Sequence, residues 1–186
     1  MERLGWTPEV RAFARRAVAY LSAQGIRQFI DIGSAISAAD DVREVLPPEG
    51  RVVYVDATEP LPADAVTVDS DLRKPTDVLV NPAMRATVDF REPVAYLLIG
   101  ALDAVTDDER PIDIVAGYAA ASIPGSYVVI SHSSTRTPEQ VEELFGDLTI
   151  VALGLTGDAS PGDGAAGSDG AEFRPGGIGI GIGRKD

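Results

Sequence analysis

Cysteine is missing from the 186-residue chain. Its absence rules out disulfides, thiolate metal sites and a cysteine nucleophile, and it suits a reducing compartment. Histidine and tryptophan occur once each. Cationic side chains are scarce, with 16 Lys and Arg against 29 Asp and Glu and a formal charge of -13. A surface of that sign repels phosphate backbones and anionic headgroups, so neither nucleic acid nor membrane is expected as a partner. No apolar run approaches the roughly 20 residues that cross a bilayer. The opening MERLGWTPEVRAF carries no apolar core of a secretory signal. A soluble, cytoplasmic protein is therefore predicted. No self-similarity recurs at a period of about 20–50 residues, which excludes a solenoid or propeller. A chain of this length can bury about 70% of its unfolded surface, and 1–186 reads as one domain.

What is present is an alternation of helical and strand patterns. From Pro8 to Ala23 the apolar residues Val10, Phe13, Ala14, Ala17, Val18 and Leu21 recur at helical spacing, with Arg11, Arg15 and Arg16 between them. Residues 1–24 thus form an amino-terminal helical segment, stopped by Gly25. Strands are predicted at Arg27–Ile32, Arg51–Val55, Ala65–Val68, Val94–Ile99, and from the turn at Pro124 and Gly125 through Ile130. Helices are predicted at Ala38–Leu46, within Lys74–Thr87 as one or two short pieces, and at Asp107–Ser122. Another is predicted at Thr137–Phe145, where Thr137 is an N-cap followed by proline at N1. Leu148–Leu155 and Ile178–Ile182 supply two last strands, and 156–172 reads as a mobile Gly-rich loop between them. The pattern implies an α/β fold with a mostly parallel seven-stranded sheet, helices on both faces and an antiparallel hairpin at one edge.

In such a sheet ligands bind beyond the carboxyl ends of the strands, where the strand order reverses. The residues there are Asp31, Gly33, Ser34 and Ala35 after the first strand, Asp56 after the second, and Asp69 and Asp71 after the third. Gly100 and Asp103 follow the fourth, and Ser131 and His132 the fifth. A glycine turn lets a nucleotide-like ligand approach the backbone, and an acid ending the next strand can accept hydrogen bonds from both ribose hydroxyls. Gly33 and Asp56 suit these two roles. The stretch GSAISA has one glycine where a dinucleotide fingerprint has three, which argues against NAD. His132 is the natural general acid or base, being the one side chain whose charge ordinarily changes near neutral pH. Plainer accounts stand beside these: a bare turn at Gly33, a solvated strand end at Asp56, and a partly exposed His132 bonded to Ser131 or Ser133. Asp107, Asp108 and Glu109 would favour a helix dipole, as would Glu139, Glu142 and Glu143. No HxH, HExxH or DxDxDG spacing occurs, so no metal site is predicted. Ser131 and His132 adjoin along a strand and face opposite ways, which disfavours a nucleophile pair.

The phrases RAFARRAVAYLSAQGIRQFIDIGS, RVVYVDA, DLRKP, PVAYLLIGALDAVTDDE and PGSYVVISH, in this order and spacing, resemble the actinobacterial S-adenosyl methyltransferase family. The resemblance runs from about Arg11 to Leu155 and resumes at the closing GIGRKD. It implies a Rossmann-like class I methyltransferase fold, with S-adenosylmethionine as cofactor. It further implies Asp31 and Gly33, with Ser34, at the turn under the methionine moiety, Asp56 at the ribose, and Asp71 with Leu72 beside the adenine. Gly100 belongs to the same rim, and His132 matches the family's Ser-His after the fifth strand. Two positions depart from the family pattern: Ala35 stands where a second glycine is usual, and Asp103 where histidine is common. An amino-terminal lid, the helix usually following the second strand and an insertion before the last helix look absent, which should open the cleft.

The expected function is methyl transfer to a small molecule, with His132 or Asp103 accepting a proton. The alternatives are a scaffold repurposed as a cyclase or isomerase of secondary metabolism or as a binding protein, and a structural partner in a larger complex. Self-association is left open.

Overall fold

The computed structural model describes residues 8–33, 39–57, 61–132, 136–155 and 179–186. The amphipathic amino-terminal stretch forms helix α1 (Pro8–Ala23), which Gly25 ends in a left-handed turn with φ 96°. Strand β1 (Gln28–Ile32), helix α2 (Ala39–Val45) and strand β2 (Arg51–Val55) make the first crossover unit. Strand β3 (Val66–Val68) is short, and the following helical stretch divides into α3 (Pro75–Val80) and α4 (Pro82–Thr87). The break has a chemical cause: Pro82 bars the preceding Asn81 from helical backbone, and the Asn81 side chain accepts from the Ala83 N–H at 2.9 Å. Strand β4 (Ala95–Ile99), helix α5 (Pro111–Ala120), strand β5 (Tyr127–His132), helix α6 (Pro138–Glu143) and strands β6 (Thr149–Leu155) and β7 (Gly179–Arg184) follow.

The sheet order is β3-β2-β1-β4-β5-β7-β6. All pairings through β5 are parallel, whereas β7 runs antiparallel to both β5 and β6, giving the expected terminal hairpin. Alternate side chains divide between two cores. Phe29, Tyr54, Leu97 and Val129 pack under α1 with Phe13, Val18 and Leu21, while Ile30, Val53, Leu98 and Ile130 pack with Val78, Ile114, Tyr118 and Val141 on the opposite face. That alternation also assigns the strand-end residues: Asp31 falls on the α1 side and His132 on the α5 and α6 side. The gap between the final strands, including the loop predicted at 156–172, lies outside the described residues.

One predicted helix is corrected. Asp107–Ser122 is not continuous: Asp107–Glu109 is a separate 3-10 turn, Arg110 is left-handed with φ 52°, and α5 begins at Pro111. Proline excludes the residue before it from helical backbone, so the acids close a small turn instead of opening the long helix. The Thr106 N–H donates to Glu109 Oε2 at 2.8 Å, completing a capping box. The fifth strand also runs two residues beyond Ile130, because Ser131 and His132 remain paired with Ile180 and Gly179 of β7.

Gln28 opens β1 at 1% exposure and bonds the backbone of Asp89 twice, donating to its carbonyl at 2.9 Å and accepting from its N–H at 2.7 Å. The amide thereby replaces a strand pairing that the 88–92 loop lacks. Gln28→Leu keeps the apolar volume and strands both backbone groups, so stability should fall by about 1–3 kcal/mol. Thermal unfolding would register this as a loss of roughly 2–4 °C per kcal/mol for a chain of this size; an unchanged midpoint would show that the pairing contributes nothing.

Candidate active site

The strand order reverses between β1 and β4, the point of an open sheet where ligands bind, and the described residues at the carboxyl ends of β1, β2, β3 and β4 lie together there. They converge at Gly33. Its N–H donates to the Val55 carbonyl at 2.8 Å, and since Ile32 is in register with Val55, Gly33 lies beside Asp56. Asp56 is half-buried, its N–H bonded to the Val68 carbonyl at 3.1 Å, and its backbone is left-handed with φ 51°. Gly33 has φ 63°, and a Cβ there would lie 2.7 Å from Leu72 Cδ2 and 3.1 Å from Ala101 Cβ. Glycine is therefore required twice over, by backbone conformation and by space.

The third-strand loop contributes Leu72 and Asp71. Leu72 is buried against Gly33, and its carbonyl accepts from the Tyr118 hydroxyl at 2.8 Å. Asp71 is exposed and turned back on its own loop, accepting from the Arg73 N–H at 3.0 Å and from the Arg73 guanidinium at 3.4 Å. The fourth-strand loop begins at Gly100, left-handed with φ 68°, whose N–H is shared between the Ser131 carbonyl and hydroxyl at 3.2 and 3.0 Å. Gly100 starts the 3-10 turn Ala101–Ala104, which carries Asp103. Asp31 is 1% exposed on the α1 face of β1, at the strand's carboxyl end, and Ser34 lies outside the described residues.

His132 is buried, not partly exposed as the plainer account foresaw, and Ser133 lies outside the described residues. His132 is 3% exposed, and its Nδ1 lies 3.1 Å from Asp103 Oδ1. On its other side the Arg136 Nε–H donates to His132 Nε2 at 2.8 Å, and Arg136 Nη2 reaches Asp107 Oδ1 at 2.8 Å. Because Nε2 accepts, the ring proton belongs on Nδ1, facing Asp103. Ser131 points to the other side of the strand, so these two do not form a nucleophile pair.

Two arginines absent from the sequence-based site flank the 101–109 segment. Arg73 donates to the Ala104 carbonyl at 3.1 Å and pairs with Glu109 at 2.7 Å, while Arg136 holds Asp107 and, through His132, Asp103. The segment is thus fastened on two sides. The Arg73 backbone N–H, aided by its guanidinium, holds the Asp71 carboxyl below the usual range; the Thr106 backbone N–H, with the Thr106 hydroxyl and Arg73, does the same for Glu109. Carboxyls with depressed folded-state values stabilise above the ordinary carboxyl range and lose that contribution as pH falls through the folded value. Amide exchange at Arg73 and Thr106 should therefore accelerate, relative to the sheet, below about pH 4; exchange that keeps the same ratio to the sheet down to pH 2 would count against the clamp.

Among the described residues no three His, Cys, Asp or Glu side chains group as metal ligands, and no helix is long and apolar enough to cross a membrane. Comparison with known proteins adds to this geometry. A solved structure of a DUF574-family protein from Streptomyces avermitilis has a TM-score of 0.78 and 27% identity, covering 96% of this chain and 83% of that one. A candidate methyltransferase from Thermobifida fusca has a TM-score of 0.76 and 27% identity over 96% of this chain and 80% of that one. The 1,6-didemethyltoxoflavin-N1-methyltransferase of Burkholderia thailandensis, solved with 1,6-didemethyltoxoflavin and S-adenosylhomocysteine, shares the fold at a TM-score of 0.62 and 15% identity. It covers 98% of this chain and 81% of its own. No curated protein matches. The family model described as S-adenosyl methyltransferase matches residues 5–152, and on that match the chain belongs to the S-adenosyl methyltransferase family, whose cofactor is S-adenosylmethionine.

Proposed function

We propose that the rim around Gly33 binds S-adenosylmethionine and supports methyl transfer to a small molecule, in a cytoplasmic protein whose residues 1–186 act as one domain. The observation that carries this reading is the meeting of four strand-end loops at one left-handed glycine, with Asp56 next to it. An adenosyl ligand needs a turn its backbone-hugging portion can approach and an acceptor for two vicinal hydroxyls; Gly33 and half-buried Asp56 fit both needs. In this reading Asp56 holds the ribose, Asp31, Gly33 and Ser34 define the methionine end, and Gly100 shapes the fourth-strand side. Asp71 sits at the adenine edge, and Leu72 forms an apolar floor beneath it, not an open wall.

The bound cofactor supplies a sulfonium methyl group open to in-line attack. The protein supplies position: a turn held to β2 and a 101–109 segment fastened by two arginines restrict where an acceptor can stand. The acids on the rim favour a ligand with net positive charge and disfavour polyanionic substrates, which supports a small acceptor molecule. Calorimetry with S-adenosylhomocysteine tests the reading. A dissociation constant on the order of micromolar is expected, and absence of binding by both S-adenosylhomocysteine and S-adenosylmethionine would overturn it.

A further inference from the structure

We infer that His132 is a positioning residue locked by Arg136, and that it acts on the site only through Asp103. The inference deepens the proposed reading of this rim. His132 is the histidine on which acid–base chemistry would first be placed, yet both ring nitrogens are committed. Nδ1–H faces Asp103 Oδ1 at 3.1 Å, and Nε2 accepts the Arg136 Nε–H at 2.8 Å. The ring is 3% exposed and the Arg136 side chain 13%, whereas the Asp103 side chain keeps 30% at the surface. On the His132 side of the array only the Asp103 carboxylate therefore reaches the surface, while Asp107 at the opposite end is 81% exposed.

The order Asp103, His132, Arg136, Asp107 alternates acceptor and donor without a gap. A guanidinium cannot give up its proton in a protein, so Arg136 Nε is a permanent donor. As long as it stays, Nε2 cannot take a proton from a substrate, and Nδ1 keeps its own. A donor aimed at Asp103 fixes the carboxylate's orientation, as second partners of functional groups commonly do. A proton leaving an acceptor N–H or O–H would pass to the Asp103 carboxylate, yielding the carboxylic acid and the deprotonated acceptor, and then to water.

A single histidine makes the test clean, because every imidazole signal belongs to it. Long-range proton–nitrogen NMR of the 15N-labelled protein at neutral pH, without ligand, should show the proton on Nδ1 and a hydrogen-bonded, unprotonated Nε2. In Arg136→Met the Nε2 resonance should move toward that of an unbonded nitrogen while Nδ1 stays protonated. Acylation of the ring by diethyl pyrocarbonate, followed by absorbance, should then accelerate by about tenfold or more, the equivalent of one charged hydrogen bond. Arg136→Met with Asp103→Ala should populate both tautomers. A proton on Nε2 in the unaltered protein, or equal acylation rates in the unaltered protein and Arg136→Met, would overturn the inference. S-adenosylhomocysteine calorimetry on the same samples separates the two readings: failure to bind removes the cofactor assignment and leaves the tautomer result standing, and the converse outcome does the reverse.

Discussion

Asp56→Asn should weaken S-adenosylhomocysteine binding by about 30- to 100-fold in calorimetry while leaving thermal stability nearly unchanged. A charged carboxylate accepting two hydroxyl hydrogen bonds contributes more than a neutral amide, and each charged hydrogen bond is worth roughly 1.5–3 kcal/mol. Every 1.4 kcal/mol is about tenfold in affinity. The choice of asparagine is dictated by the backbone. Asp56 is left-handed at φ 51°, a conformation asparagine tolerates and alanine resists at a cost of roughly 1–2 kcal/mol. Asp56→Ala would therefore combine lost binding with local strain, whereas the amide isolates the charge. A change in dissociation constant smaller than about threefold would remove Asp56 from the ribose.

Gly33→Val should produce the largest loss of stability of any single change at the rim. The left-handed backbone at φ 63° costs a side chain roughly 1–2 kcal/mol, more when it branches at Cβ. The added atom would sit 2.7 Å from Leu72 Cδ2 and 3.1 Å from Ala101 Cβ, and overpacking of that kind costs typically about 1–3 kcal/mol. The sum is about 2–5 kcal/mol, and the midpoint should fall by about 4–20 °C. The two causes can be separated. Leu72→Ala in the Gly33→Val background removes the tighter contact and should recover part of the loss, with a coupling energy of about 0.5–3 kcal/mol. Additive losses would mean that Leu72 does not wall the turn, and an unmoved midpoint in Gly33→Val would mean that the turn itself is misplaced.

Much of the architecture was legible because its signals are local. VAYLLI and YVVI are short apolar runs bounded by turn residues, which reads as interior strands, and the structure buries both on their two faces. Thr137 with proline at N1 marks a helix start within four residues, and the structure puts Thr137 at the N-cap with a capping box to Gln140. The family phrases implied the fold type, a mostly parallel sheet ending in an antiparallel hairpin, and the strand order itself comes from the structure. What escaped was set by distance. Arg73 answers Ala104 and Glu109 from another loop, and His132 answers Asp103 across two strands. Nothing in the local pattern of STRTPEQ distinguishes Arg136 from any solvated cation. The acids at 107–109 were read through a helix dipole that Pro111 prevents from reaching them, so their actual partners, Thr106, Arg73 and Arg136, went unseen.

The sheet order has a consequence for how the chain is made. Strand β7, the latest in sequence, lies inside the sheet between β5 and β6, not at its margin. Until β7 has emerged from the ribosome, the backbone donors and acceptors along one side of YVVISH have no strand to meet, and an apolar segment presents a template to any other nascent chain. Vectorial synthesis therefore leaves a window of aggregation risk that closes in one late step. Slowing translation between β6 and β7 should lower the soluble yield more than slowing it between β1 and β2.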